Sequence, residues 1–225
     1  MTLPIQSSSL ASAYEISKRL EDRMFVREFI NDNCIVRVEP GSKELPSYLN
    51  QGSGYYTWQF YLREAFFDAK ILNVIVQDFM SRYEEMLKSG AIQLCGVESA
   101  STPLLTGIAI ACCNRGFDVN IFSIRKDRKT YGKKNWLEGK VLKNKLAMII
   151  DDIVSETHKT ACHAANVLYN QAIPIADHCY AVVHKTDKPE NNKIKLLYRE
   201  LTVGSMFSLN DFDLYLADYL KNKQG

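Results

Sequence analysis

An α/β fold, built as a mostly parallel twisted sheet with helices on both faces and a helical N-terminal elaboration, is predicted by three features of the sequence. From Ala91 onward, short apolar runs of strand length alternate with helical segments, the pattern of a parallel sheet whose crossovers cover both faces. The run Ile149-Ile150-Asp151-Asp152-Ile153-Val154 ends an apolar strand in two carboxylates just ahead of a polar segment and a helix, where such a sheet holds a ligand. Composition agrees: 46% hydrophobic and 24% charged residues in 225 are those of a globular chain able to bury one core.

The elements follow in order. Residues 14–31 read as a helix, with Ile16, Leu20, Met24 and Phe25 at helical spacing, ending near Asn31-Asp32-Asn33. Residues 40–54, punctuated by Gly and Pro, are a loop or short hairpin. Residues 55–88 are aromatic-rich and then amphipathic through Ile71, Val74, Ile75, Phe79 and Met86, which predicts one or two helices closed by Ser89-Gly90. Strands are expected at 91–96, 117–124, 146–151 and 179–183, and helices at 102–114 and 160–170. A late strand at 201–207 and a closing helix at 211–220, capped by Ser208 or Asn210, complete the chain. No internal repeat or low-complexity linker divides it, so residues 1–225 form a single domain: 1–90 the N-terminal helical and loop region, 91–225 the α/β core.

Residues 1–10 have neither the basic start nor the apolar core of a signal peptide, and no apolar run approaches transmembrane length, so a cytoplasmic protein without membrane contact is expected. The six cysteines lack CxxC spacing and fit reduced, buried thiols. His158 and Cys162, four apart, have no second ligand pair, and no protein-held metal is assigned. The net charge of +2 conceals nine basic against two acidic residues between Arg125 and Lys145, a local +7 on a remainder of −5. That distribution favours an anionic ligand held at one place and makes nucleic acid an improbable partner.

Three segments are chemically loaded, and in a parallel sheet their loops meet at the carboxyl edge. Two free carboxylates do not suit a buried strand, so Asp151 and Asp152 are expected at the strand's end, facing solvent or a polyhydroxylated or cationic partner. The turn that follows, residues 155–160, offers hydroxyls and helix N-terminal amides to a phosphate, as does the turn at 96–103. Each alone also reads as an ordinary capped helix. The basic segment from Arg125 to Lys134, followed by residues 135–139, reads as a cationic lid or a solvated loop.

Together these segments resemble the type I phosphoribosyltransferases, and most specifically the orotate branch. Residues 148–160 are similar to the family's motif of apolar strand, two acidic residues, two apolar residues and phosphate turn. Arg125-Lys126-Asp127-Arg128-Lys129-Thr130-Tyr131-Gly132 resembles the mobile catalytic loop of the orotate branch, and residues 203–212 its closing strand and helix. The resemblance implies transfer of ribose 5-phosphate from phosphoribosyl pyrophosphate to a pyrimidine-like nucleobase, orotate favoured, in pyrimidine biosynthesis. It also implies magnesium bound mainly through the substrate, and a homodimer whose loop reaches the neighbouring site. By position, Asp151 and Asp152 would hold the ribose hydroxyls, with Asp152 among the catalytic groups. Ser155, Thr157 and Thr160 would hold the 5-phosphate, and Ser99, Ala100, Ser101 and Thr102 the pyrophosphate. Lys129, Arg125 and Lys126 would stabilise the leaving group.

The chain departs from the pattern at Tyr131, where the loop carries histidine, and at Ala100, where the orotate enzymes carry lysine. It departs again at Glu156, Thr157 and His158 in a turn where glycine normally lets the phosphate approach the backbone. Two other readings follow: a catalytically silent module of the same fold that senses a nucleotide or binds a partner, and single-stranded RNA binding through the basic loop with Tyr131 and Trp136 as stacking platforms.

Overall fold

The structure, a computed structural model, describes residues 7–39, 47–48, 54–127, 135–186, 188, 190, 192–196, 199–216 and 219–221. In chain order the N-terminal part holds α1 (Ser7–Asn33), β1 (Ile35–Arg37), β2 (Ser47–Tyr48), β3 (Gly54–Tyr56), β4 (Trp58–Phe60), α2 (Arg63–Phe67) and α3 (Ala69–Lys88). The remainder holds β5 (Ile92–Val97), α4 (Thr102–Asn114), β6 (Ile121–Ile124), β7 (Leu137–Glu138), β8 (Leu146–Val154) and α5 (Lys159–Asn170). It closes with β9 (Ile175–His184), β10 (Lys193–Lys195), β11 (Glu200–Ser208), a 3-10 turn at Leu209–Phe212 and β12 (Tyr219–Lys221).

Seven strands form the central sheet in the order β10-β11-β9-β8-β5-β6-β7. The five inner strands are parallel, and β10 and β7 close the edges antiparallel. The predicted mostly parallel sheet is therefore present. Its strand order reverses between β5 and β8, whose following loops leave in opposite directions and open a crevice at the carboxyl ends. Two apolar clusters cover the faces. One joins α1, α3 and α4 to the sheet through Ile75, Phe79, Leu104, Ile108 and Ile150; the other joins α5 through Ala161, Ala164, Leu168, Ile149 and Val203.

Several expectations are corrected. In α1 the predicted stripe Ile16, Leu20, Met24 and Phe25 stays about half exposed, while Val26 and Ile30 are fully buried. Within residues 15–33 burial begins at Val26, so it falls on the last turns of α1 rather than along the whole periodic run. Residues 55–60, expected to open a helical region, lie instead in β3 and β4; Tyr56 packs on Trp58 at 4.8 Å and Trp58 on Phe60 at 5.8 Å between centroids. Among the described residues no closing helix follows β11. Ser208 does cap the turn, its N–H donating to Asp211 at 2.8 Å, but Asp213 adopts a left-handed φ of 53° and ends it after four residues. The chain then pairs β12 with β3. Strand β10, within a polar stretch, was not foreseen; it pairs Lys193–Lys195 against β11 through a short hairpin.

Among the described residues all six cysteines are free thiols, and no helix is long and apolar enough to cross a membrane.

Candidate active site

The apolar run into the paired aspartates makes β8 longer than its sequence suggests: it continues through Asp151 and Asp152 to Val154. Parallel pairing with β9 carries the extension, Asp151 opposite Ala181 and Ile153 opposite Val183. Asp151 is consequently 3% exposed rather than solvent-facing, and Asp152 is half-buried. Burial pushes the Asp151 carboxyl well above its ordinary range, the neighbouring Asp152 charge adds to the rise, and Lys126 works against it. The pair thus sets one buried carboxyl, biased toward its protonated form, beside a more exposed one.

A cavity of about 350 Å³ opens beside this pair at the crevice between β5 and β8. The β8 side contributes Asp151, Asp152, Ile153 and Ser155, and α5 contributes Thr160. The loop after β5 contributes Val97, Glu98 and Ala100. Lys126 enters from beyond β6, Lys185 from the end of β9, and Gln59, Phe60 and Arg63 form the wall nearest the N-terminal region. Glu98 and Ser99 are joined by a cis peptide bond. A groove of similar volume, about 360 Å³, runs between α1 and α3, away from the strand ends.

The turn after β5 is set by packing. Ser101 is fully buried and its hydroxyl donates to the Val97 carbonyl at 2.9 Å, pulling the turn onto the sheet. Gly96 makes this possible, because a Cβ there would collide with Ser101 Oγ and the Ile150 carbonyl. Of the four residues predicted in this turn, Ala100 lines the cavity, Ser101 is turned into the sheet, and Ser99 and Thr102 are exposed outside the lining.

The turn after β8 has a different character. His158 N–H donates to the Ser155 carbonyl at 2.9 Å, and His158 takes a left-handed φ of 54° at the N-cap of α5 without capping it through its side chain. The backbone thus adopts the conformation a glycine would favour although histidine occupies the position. The hydroxyls of Ser155 and Thr157 lie 3.1 Å apart, and Ser155 and Thr160 face the cavity. Glu156 is held from across the crevice: Tyr56 donates its hydroxyl to Oε1 at 3.2 Å, and Lys185 Nζ lies 3.9 Å from Oε2. Burial lowers the pKa of Lys185, with Glu156 opposing.

The basic segment springs from an antiparallel ribbon, Ile124 opposite Leu137, with Arg125 N–H donating to the Trp136 carbonyl at 2.9 Å. His163 of α5 lies 2.9 Å from the Arg125 carbonyl, fixing the root of the arm to that helix. The Arg125 guanidinium is engaged by Glu98 and Glu138 and does not line the cavity, whereas Lys126 does. Lys129, Tyr131 and the rest of 128–134 lie outside the described residues. Gln59 and Arg63 carry no motif in the sequence, and Lys185 is marked there only as a basic residue after a strand; all three reach the site because β4, α2 and the end of β9 are folded against it.

No protein-family model matches the chain. It is 28% identical over 127 residues to the orotate phosphoribosyltransferase of Dichelobacter nodosus, covering 55% of this chain and 57% of that protein. It is 29% identical over 109 residues to the orotate phosphoribosyltransferase of Coxiella burnetii, covering 48% of each. The chain thus spans about half the length of the curated relatives it matches. Its fold is shared with a crystal structure of orotate phosphoribosyltransferase from Mycobacterium tuberculosis in complex with 5-phospho-alpha-D-ribosyl 1-diphosphate, at a TM-score of 0.56 and 16% identity, covering 85% of this chain and 92% of that one.

Proposed function

This chain is a relative of the orotate phosphoribosyltransferases on the type I phosphoribosyltransferase fold, and we propose that it transfers ribose 5-phosphate from phosphoribosyl pyrophosphate to a pyrimidine-like base, orotate favoured, releasing pyrophosphate. The observation that carries this reading is one cavity at the strand-order reversal that gathers the paired aspartates, the start of α5 and the root of the basic arm.

Breaking the anomeric bond places positive charge on the sugar and negative charge on the departing pyrophosphate. Asp152 supplies the carboxylate near the sugar, and Asp151, buried beside it, orients a hydroxyl by hydrogen bonding. Ser155, Thr157, Thr160 and the amides opening α5 receive the 5-phosphate. The turn at 99–102 offers backbone to the pyrophosphate, with Ala100 nearest. Lys126, together with Lys129 of the arm, meets the charge of the leaving group, while Arg125, held by Glu98 and Glu138, stays outside the cavity. Gln59 Oε1 is buried and finds no donor among the described residues, so its amide is available to the edge of a base beside Phe60.

Among the described residues no cluster of three or more acidic, histidine or cysteine side chains is placed to hold a metal. Magnesium would enter this site as the donor's counter-ion, held mainly through the donor, with Asp151, Asp152 and Glu98 the carboxylates that line the cavity. When bound it supplies charge neutralisation on the pyrophosphate. The reading includes a homodimer, checked by sedimentation equilibrium.

The test is incubation with phosphoribosyl pyrophosphate, magnesium and a panel of bases, scored by pyrophosphate release, with donor binding followed by calorimetry. Release with orotate is expected; no release with any base and no donor binding overturns the proposal. Glu156 within the phosphate turn favours a second reading, a silent module that binds the donor or a nucleotide without turnover. Donor binding without release identifies that case.

A further inference from the structure

We propose that Glu156 is a resident anion of the donor site, which holds Lys185 before ligand arrives and yields it to the sugar's 5-phosphate, so that Lys185 becomes a phosphate-binding cation. This rests on reading the cavity as a sugar-phosphate site. It departs from the resemblance, which assigns the phosphate to the turn alone.

Position comes first. Lys185 N–H donates to the Val154 carbonyl at 2.8 Å, which sets its backbone beside the first residue of the turn. Its side chain is 16% exposed and lines the same cavity as Ser155 and Thr160. The ammonium lies 4.9 Å from the Tyr56 ring centroid and 4.8 Å from that of Trp58. These faces keep it in place whether or not the carboxylate stays.

The contact between Lys185 and Glu156 is loose in the way an exchangeable contact must be. At 3.9 Å the Lys185–Glu156 pair is ionic without a short hydrogen bond, and the closer contact, the Tyr56 hydroxyl at 3.2 Å, comes from another strand. Burial depresses the Lys185 pKa and Glu156 only partly offsets it, so the cation is short of counter-charge. A phosphate monoester brings up to two charges and three strong acceptor oxygens, more than a single carboxylate offers. Glu156 left in place would repel it, so binding and release of Glu156 are linked.

The probe is ribose 5-phosphate, titrated by calorimetry into the full chain and into Glu156→Gln, Lys185→Gln, Lys185→Arg and Tyr56→Phe. Glu156→Gln is expected to tighten binding about tenfold and Tyr56→Phe two- to threefold, because the first removes the competing charge and the second loosens the hold on it. Lys185→Gln is expected to weaken it about tenfold, with Lys185→Arg recovering most of the loss. Unchanged or weaker binding in a folded Glu156→Gln protein overturns the proposal, as does absence of binding to every protein. Titration of orotate separates the other anionic source: a response to Glu156→Gln confined to orotate assigns Lys185 to the base and overturns the phosphate role. Transfer is scored separately. No turnover, with ribose 5-phosphate affinity still responding to Glu156→Gln, sinks the transferase reading and keeps this one; turnover with that affinity indifferent does the reverse.

Discussion

Asp152 donates its backbone N–H to the Asp151 side chain at 3.0 Å, and the two adjacent side chains, both lining the cavity, differ in burial, Asp151 being 3% exposed and Asp152 half-buried. The folded pKa of Asp151 is raised above its ordinary value of 3.8 by burial and by Asp152. The folded chain therefore binds the proton more tightly than the unfolded chain, and this contribution to stability is complete below pH 3.8 and lost as pH rises through the folded value. Asp151→Asn should melt higher than the parent at pH 7.5, with the gap closing toward pH 4. Equal gaps at both pH values would show that Asp151 is charged in the folded protein.

His184 has the opposite sign. It is 3% exposed, its ring lies 6.0 Å from that of His158, and burial followed by the His158 charge lowers its pKa to about 4. A depressed folded value means that stability is lost as pH falls from about 6.5 toward about 4, with a slope of up to about 1.4 kcal/mol per pH unit. Urea midpoints measured across that window should fall in the parent and flatten in His184→Gln. A parallel decline in both proteins assigns the acid sensitivity elsewhere.

Gly96→Ala tests the packing that shapes the turn after β5. The new methyl meets Ser101 Oγ and the Ile150 carbonyl, and the backbone on the far side belongs to β8, next to Asp151. A loss of about 1–3 kcal/mol in urea is expected, together with weaker donor binding. Full stability with full donor affinity would mean that the turn can move away at no cost.

Lys126 is the one described cation of the basic arm that lines the cavity. Removing a charge that meets the leaving group should lower kcat/KM about 100-fold with the melting temperature unchanged, and Lys126→Arg should retain most of the activity. Steady-state kinetics on the folded variants decide it; activity at the parent level in Lys126→Ala removes Lys126 from the reaction.

The legible parts of this molecule are those written in local chemistry. Helix α4 was read at its observed bounds because Pro103 just inside the start and an apolar run that gives out at Asn114 are short-range signals. Strand β8 was read three residues short, since sequence pattern treats aspartate as a terminator while parallel pairing to β9 continues past it. The closing helix was misread because a capping box announces a helix start but says nothing of length, which Asp213 and the pairing of β12 with β3 decide.

By itself the sequence determined the parallel α/β class and offered the paired aspartates and the basic arm as candidate site features, since strand and helix periods and charge runs are properties of adjacent residues. Tertiary structure alone decided that Asp151 is buried, that Ser101 faces the sheet, that Arg125 is taken up by Glu98 and Glu138, and that Glu156 is met by Tyr56 and Lys185. Burial and ion pairing depend on what other strands bring within a few ångströms. Tyr56 stands 100 residues from the glutamate it binds, a distance no local pattern spans.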